Sequence, residues 1–220
     1  MKSIIKKIGI IFIVVIVILF VIIMSHYQST SSRRLENQYL SSIHQIQCFH
    51  DEDQDGLNDQ DDILQGALEY VRTHPKYKSR YYKDTGYPND GYGVCSDVVI
   101  FALKAAGYNV KDNIQKDIAL YPEDYDIEKC DPQIDFRRVQ NLKIYFSHNA
   151  IALTTNVQDI EQWQGGDIVV FEKHIGIISD RRNENGVPYV IHHQGVFQKY
   201  YEEDILEKRK DIVGHYRIGE

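Results

Sequence analysis

The chain has 220 residues, 43% of them hydrophobic, with a formal net charge of −7 and three cysteines. Residues 1–34 carry five basic side chains and no acidic one, so the remainder of the chain carries −12. That length allows one main domain with a sizeable core. So acidic a domain excludes nucleic acid as a partner class, because neutralising phosphates takes clustered Lys and Arg.

The elements begin with Lys2, Lys6 and Lys7, then an apolar run from Ile8 to Met24 and the polar stretch Ser25–Ser32. A run of this length reaches the short end of a membrane span when flanking residues snorkel or the bilayer thins. Ile22-Ile23-Met24-Ser25 lacks the small-residue pattern of a secretory cleavage site. The expectation is an uncleaved, single-pass membrane anchor over residues 1–24; secretion after signal cleavage is the alternative. Lysines ahead of the span favour an inside N-terminus and an external domain, an asymmetry weakened by Arg33 and Arg34. Residues 25–40, with clustered Ser and Thr, read as a polar tether.

Residues 41–62 form the next segment, a weak apolar stretch (Leu40–Cys48) leading into an acidic loop. Ile63, Leu64, Ala67, Leu68 and Val71 recur at helical spacing and stop before Pro75. Residues 77–92, rich in Tyr, Gly, Asp and Pro, read as a surface loop that could line a cleft. A helix over about 96–106 follows, with Gly107 as its C-terminal stop. Residues 131–146 open with a turn, Asp131-Pro132, and carry the basic pair Arg137-Arg138. Residues 167–171, 174–179, 187–192 and 213–218 are short β-rich runs between turns. Helices first and a small antiparallel sheet afterwards give an α+β reading for residues 63–220.

The acidic loop runs Asp51-Glu52-Asp53-Gln54-Asp55-Gly56-Leu57-Asn58-Asp59-Gln60-Asp61-Asp62. Calcium takes six to eight oxygens, and a twelve-position loop supplies them from alternating residues around a tight bend at its sixth, a glycine. That spacing selects Asp51, Asp53, Asp55, the Leu57 carbonyl, Asp59 and Asp62 as Ca2+ ligands in a structural role. The loop resembles those of thrombospondin type 3 and dockerin repeats more than a full EF-hand. The alternative is a solvated acidic loop without an ion.

Cys95 opens the segment Cys95-Ser96-Asp97-Val98-Val99 after Gly91 and Gly93. A thiol at a helix start meets unpaired N–H groups and the positive end of the dipole, both of which favour the thiolate. His174 follows on a strand-like segment, and His192 ends the next one, with His193 on its opposite face. An imidazole beside the thiol could take its proton and later protonate a leaving amine, while a second polar group holds its tautomer. Backbone N–H groups around Cys95 would serve as an oxyanion hole. Asp97 reads as a brace for the helix start. Cys48 and Cys130 could pair or stay free.

GYGVCSDVVIFALKAAGY, DPQIDFRRVQNL, WQGGDIVVF, HIGIISD, IHHQG and GHYRI, spread over residues 63–220, resemble the bacterial family called domain of unknown function 1287. That family is placed by similarity with NlpC-type, papain-like cysteine hydrolases. The resemblance implies a papain-like fold with Cys95 as nucleophile, His174 as base and His192 as third polar residue. The family pattern is His-Asn where this chain has His192-His193. NlpC-type relatives mostly cleave amides of cell-wall stem peptides, so the implied partner is a wall peptide. Arg137 and Arg138 are the basic groups to hold its carboxylate, unless an internal carboxylate claims one of them. The alternative is a non-catalytic surface module that keeps the fold and binds wall peptides or a protein. A zinc site from Cys95, His174 and His192 has no supporting ligand spacing.

Overall fold

The computed structural model describes residues 2–27 and 29–219. Helix α1 (Lys2–His26) has no acidic residue in its first turn. Residues 6–25 within it are long and apolar enough to cross a membrane or to serve as a signal segment.

The folded part starts with α2 (Asp59–Arg72), capped by the Asn58 side chain, which accepts the Asp61 N–H. Its apolar stripe of Ile63, Leu64, Ala67, Leu68 and Val71 is buried. Strands β1 (Lys76–Tyr77) and β2 (Tyr92–Gly93) pair in parallel across the Tyr-rich loop. Helix α3 (Cys95–Ala105) is apolar on nearly every side because it packs on α2 and also on the sheet. Gly66 lets α2 and α3 touch, since a Cβ there would lie 2.5 Å from the Ala105 Cβ. Gly107, at φ +82°, turns the chain out of α3 in the left-handed region that glycine favours.

Helix α4 (Val110–Leu120), which the sequence reading passes over, buries only Val110, Ile114, Asp117 and Ile118. A 3-10 turn at Asp135–Arg137 leads into α5 (Val139–Asn149). Six strands then form one antiparallel sheet in the order β3-β8-β4-β5-β6-β7. They are β3 (Ile151–Ala152), β4 (Ile168–Phe171), β5 (His174–Arg182), β6 (Pro188–Ile191), β7 (Glu202–Glu203) and β8 (Ile212–Arg217). Strand β4 is buried at all four residues. It lies between β5 and β8, with one side facing α3 and α5 and the other covered by Trp163, Val187 and Leu206. Trp163 and Phe171 are thus core residues.

Just ahead of β4, Asp167 ties several elements together. It accepts from Arg217 Nε (2.7 Å), Gln60 Nε2 (2.8 Å) and the Gln164 N–H (2.8 Å), and it contacts His215 Nε2 (2.9 Å). Burial pushes its carboxyl up, but His215 and Arg217 together hold it below the usual range.

The stretch read as a tether is docked instead. Ser31 bridges Tyr200 in parallel, and the Gln38 N–H donates to the Arg182 carbonyl (2.8 Å). Arg34 donates to Ser179 (2.9 Å) and pairs with Glu202 (2.9 Å) and Asp180. A polar segment becomes a strap because the outer strands offer it carbonyls and a buried carboxylate that would otherwise go unpaired.

Candidate active site

Cys95 is the first residue of α3, and Val94 caps that helix from an extended backbone. Asp97 accepts the Val94 N–H (2.8 Å), bracing the helix start. The Ile175 N–H reaches the Cys95 sulfur, as do the N–H groups of Cys95 and Ser96. That brings the sulfur to the backbone of β5 at Ile175, the residue after His174. Both Cys95 and His174 are 7% exposed, and His192 is fully buried.

His174 Nε2 lies 2.9 Å from His192 Nδ1. The far nitrogen of His192, Nε2, is 3.2 Å from Glu203 Oε2, and Gln198 Nε2 donates to the His192 carbonyl (3.1 Å). A carboxylate can only accept, so the Glu203 charge favours the His192 proton on Nε2, a nitrogen that the Gln198 amide also approaches at 3.4 Å. His192 Nδ1 is then an acceptor, and the His174 proton belongs on Nε2. His174 Nδ1 is left with a free lone pair, the form required of a base towards the thiol. Glu203 is a residue that sequence reasoning misses. It reaches His192 through the pairing of β6 with β7, where Val190 opposes Glu203, and no local motif marks that pairing.

The electrostatics correct one expectation. Burial pushes the Cys95 thiol up to about 11, outweighing the three N–H donors. Burial, and next the neighbouring His192, push His174 down to about 3. The resting pair is therefore neutral thiol and neutral imidazole, not the thiolate that the helix end alone suggests. His193 is 1% exposed and packs edge-on against Tyr77 (5.0 Å) and Tyr201 (5.2 Å), with its Nδ1 unbonded.

Arg137 is not free for a substrate carboxylate. Its Nε and Nη2 donate to the two oxygens of Asp97 (2.7 and 2.8 Å), and Nη1 donates to the Arg80 carbonyl (2.8 Å). Both side chains are almost wholly buried, so this bidentate pair fixes the 3-10 turn under the start of α3. Arg138 has a 57% exposed side chain 3.7 Å from Asp135 and is the one cation of the pair that solvent reaches. Gly93 is pressed against the Tyr70 hydroxyl, whereas Gly91 helps to line a cleft of about 380 Å³ with Tyr70, Pro88, Tyr92 and Phe101. The Tyr-rich loop thus does line a cleft, which opens off the segment leading to Cys95.

In the acidic loop Asp51, Asp53 and Asp55 each bring an oxygen within 4.8 Å of the others. Asp59 does not join them. It begins α2 fully buried, bonded by His50 Nδ1 (2.7 Å), the Glu52 N–H (2.9 Å) and the Tyr108 hydroxyl. Asp59, expected as a calcium ligand, thus turns its oxygens to these internal donors instead. All three cysteines are free thiols.

No solved structure matches this chain significantly. The uncharacterized protein YijF of Escherichia coli (strain K12) is 36% identical over 168 residues, covering 70% of this chain and 80% of that protein. The family model described as "Domain of unknown function (DUF1287)" matches residues 64–218, which takes in Cys95, His174, His192 and Glu203 but not the acidic loop. The chain belongs to that family.

Proposed function

We propose that this protein is a cysteine hydrolase of papain-like fold, acting on amides of cell-wall stem peptides outside the membrane that α1 anchors. The observation carrying this reading is the run of contacts from His174 to His192 to Glu203, which starts one residue before Ile175, the residue whose N–H acts on the helix-end sulfur of Cys95. In the reaction His174 Nδ1 takes the thiol proton as the sulfur attacks the amide carbonyl. The N–H groups at the start of α3 stabilise the oxyanion. The C–N bond then breaks, and the His174 proton leaves with the amine. Water, deprotonated by the same imidazole, cleaves the thioester and restores the thiol. His192 and Glu203 hold the tautomer and favour the transient imidazolium.

Purified full chain in detergent, incubated with muropeptides, should release fragments that mass spectrometry detects and that Cys95→Ala abolishes. An absence of fragments, together with Cys95 alkylation indifferent to His174→Ala, would sink the hydrolase reading. One observation favours a second reading, a surface module that binds wall peptides or a protein without cleaving them: the thiol is only 7% exposed, and that burial disfavours its anion. Binding of muropeptides that survives in Cys95→Ala, with no turnover by the wild type, selects it.

A further inference from the structure

The loop ahead of α2 lies outside the matched family region. Its three carboxylates Asp51, Asp53 and Asp55 converge within 4.8 Å. Calcium–oxygen bonds of about 2.3–2.6 Å put opposite ligands about 4.6–5.2 Å apart, so such a cluster fits inside one calcium shell. Gly56 adopts φ +100°, giving the bend that follows the third aspartate. Among the described residues no Lys or Arg pairs with these carboxylates, and His50 turns its Nδ1 to Asp59 (2.7 Å).

Asp62 supplies the independent observation. It is only 7% exposed, and its Oδ2 is buried with no hydrogen-bond partner. A buried carboxylate oxygen without a donor, at the twelfth position of a loop whose first, third and fifth carboxylates converge, is costly unless a cation partners it.

We infer that residues 51–62 form a calcium site whose ligands are the carboxylates of Asp51, Asp53, Asp55 and Asp62 and the Leu57 carbonyl. Asp59 has another task, fastening the loop to Tyr108 just beyond α3. The Asp53 backbone also rests on Gly107, where a Cβ would meet the Asp53 Cβ at 2.9 Å. The ion therefore clamps the beginning of α2 and the end of α3 together. The loop meets Gly107 at the far end of α3 from Cys95, roughly 18 Å along the helix axis, which makes the ion's role one of stability rather than catalysis.

Thermal unfolding and isothermal titration of the full chain in detergent test this directly. Millimolar calcium should raise the melting temperature of the wild type by several degrees, with chelator reversing the shift and magnesium giving much less. Asp55→Asn should weaken calcium uptake by about tenfold or more, since ligand charge sets affinity in such loops. Asp62→Asn should also lose the calcium response, yet it should melt higher than the metal-free wild type because it removes the unpaired buried charge. That combination cannot come from misfolding. No calcium uptake by the wild type at millimolar concentration overturns the inference, and so does an Asp62→Asn protein that still binds calcium at wild-type affinity.

Discussion

Replacing Arg137 with Met decides whether that residue braces the site or touches a ligand. Its guanidinium makes two bonds to Asp97 and one to the Arg80 carbonyl, all between 2.7 and 2.8 Å. The two side chains are 2% and 0% exposed, so water cannot replace what is lost. Methionine leaves the Asp97 carboxylate charged, buried and held only by the Val94 N–H. Breaking one side of such a pair costs about 3–5 kcal/mol. At about 2–4 °C per kcal/mol for a domain of this size, melting should fall by about 6–20 °C. Urea unfolding followed by tyrosine and tryptophan fluorescence measures the same loss. The double variant Arg137→Met with Asp97→Leu should recover most of it, short of about 1 kcal/mol for the helix cap. A single variant within about 1 kcal/mol of wild type, with weakened muropeptide binding instead, would refute the bracing role and restore Arg137 as a ligand clamp. Arg138→Ala, at an exposed side chain, should stay within about 0.5 kcal/mol in the same assay.

Glu203→Gln replaces an obligate acceptor with a group that can donate, which frees His192 to reverse its tautomer. Alkylation of Cys95 by iodoacetamide should slow by about tenfold or more at unchanged melting temperature. His174 and His193 have folded values of about 3 and about 4, below the ordinary histidine value, so the unfolded chain binds their protons first as pH falls. The stability they contribute is full above pH 6.5 and drains away between 6.5 and those folded values. Urea unfolding at pH 5 should thus show a loss of about 2 kcal/mol per histidine relative to pH 7, and His193→Asn should lose correspondingly less. Gly66→Ala drives a methyl to 2.5 Å from the Ala105 Cβ and 3.0 Å from the Ala102 carbonyl. It should cost about 1–3 kcal/mol, whereas helix propensity alone favours alanine by about 1 kcal/mol; a stabilised variant would contradict the close packing of α2 on α3.

Features set by neighbouring residues could be read in the sequence. The α2 stripe, the glycine that ends α3 and the short strands between turns rest on spacing and turn chemistry, which act within a few residues. Cys95 at a helix start and the histidines at strand ends were visible for the same reason, as was the alternation of aspartates before α2. Helix α4 escaped because its buried face is sparse and polar side chains surround it.

What remained hidden involves groups far apart in the chain. Arg137 meets Asp97 across forty residues, and the strap at Arg34 meets Glu202 across 168. Asp59 has a calcium-ligand spacing, but Tyr108 and His50 claim one of its oxygens and the Glu52 N–H the other. The charge state of Cys95 shows the division most clearly. Local sequence set donors around the sulfur, while the packing of α3 between α2 and β5 removed the water and kept the proton on. Backbone geometry is a short-range property of the chain, whereas solvation and pairing depend on whatever the fold brings from elsewhere.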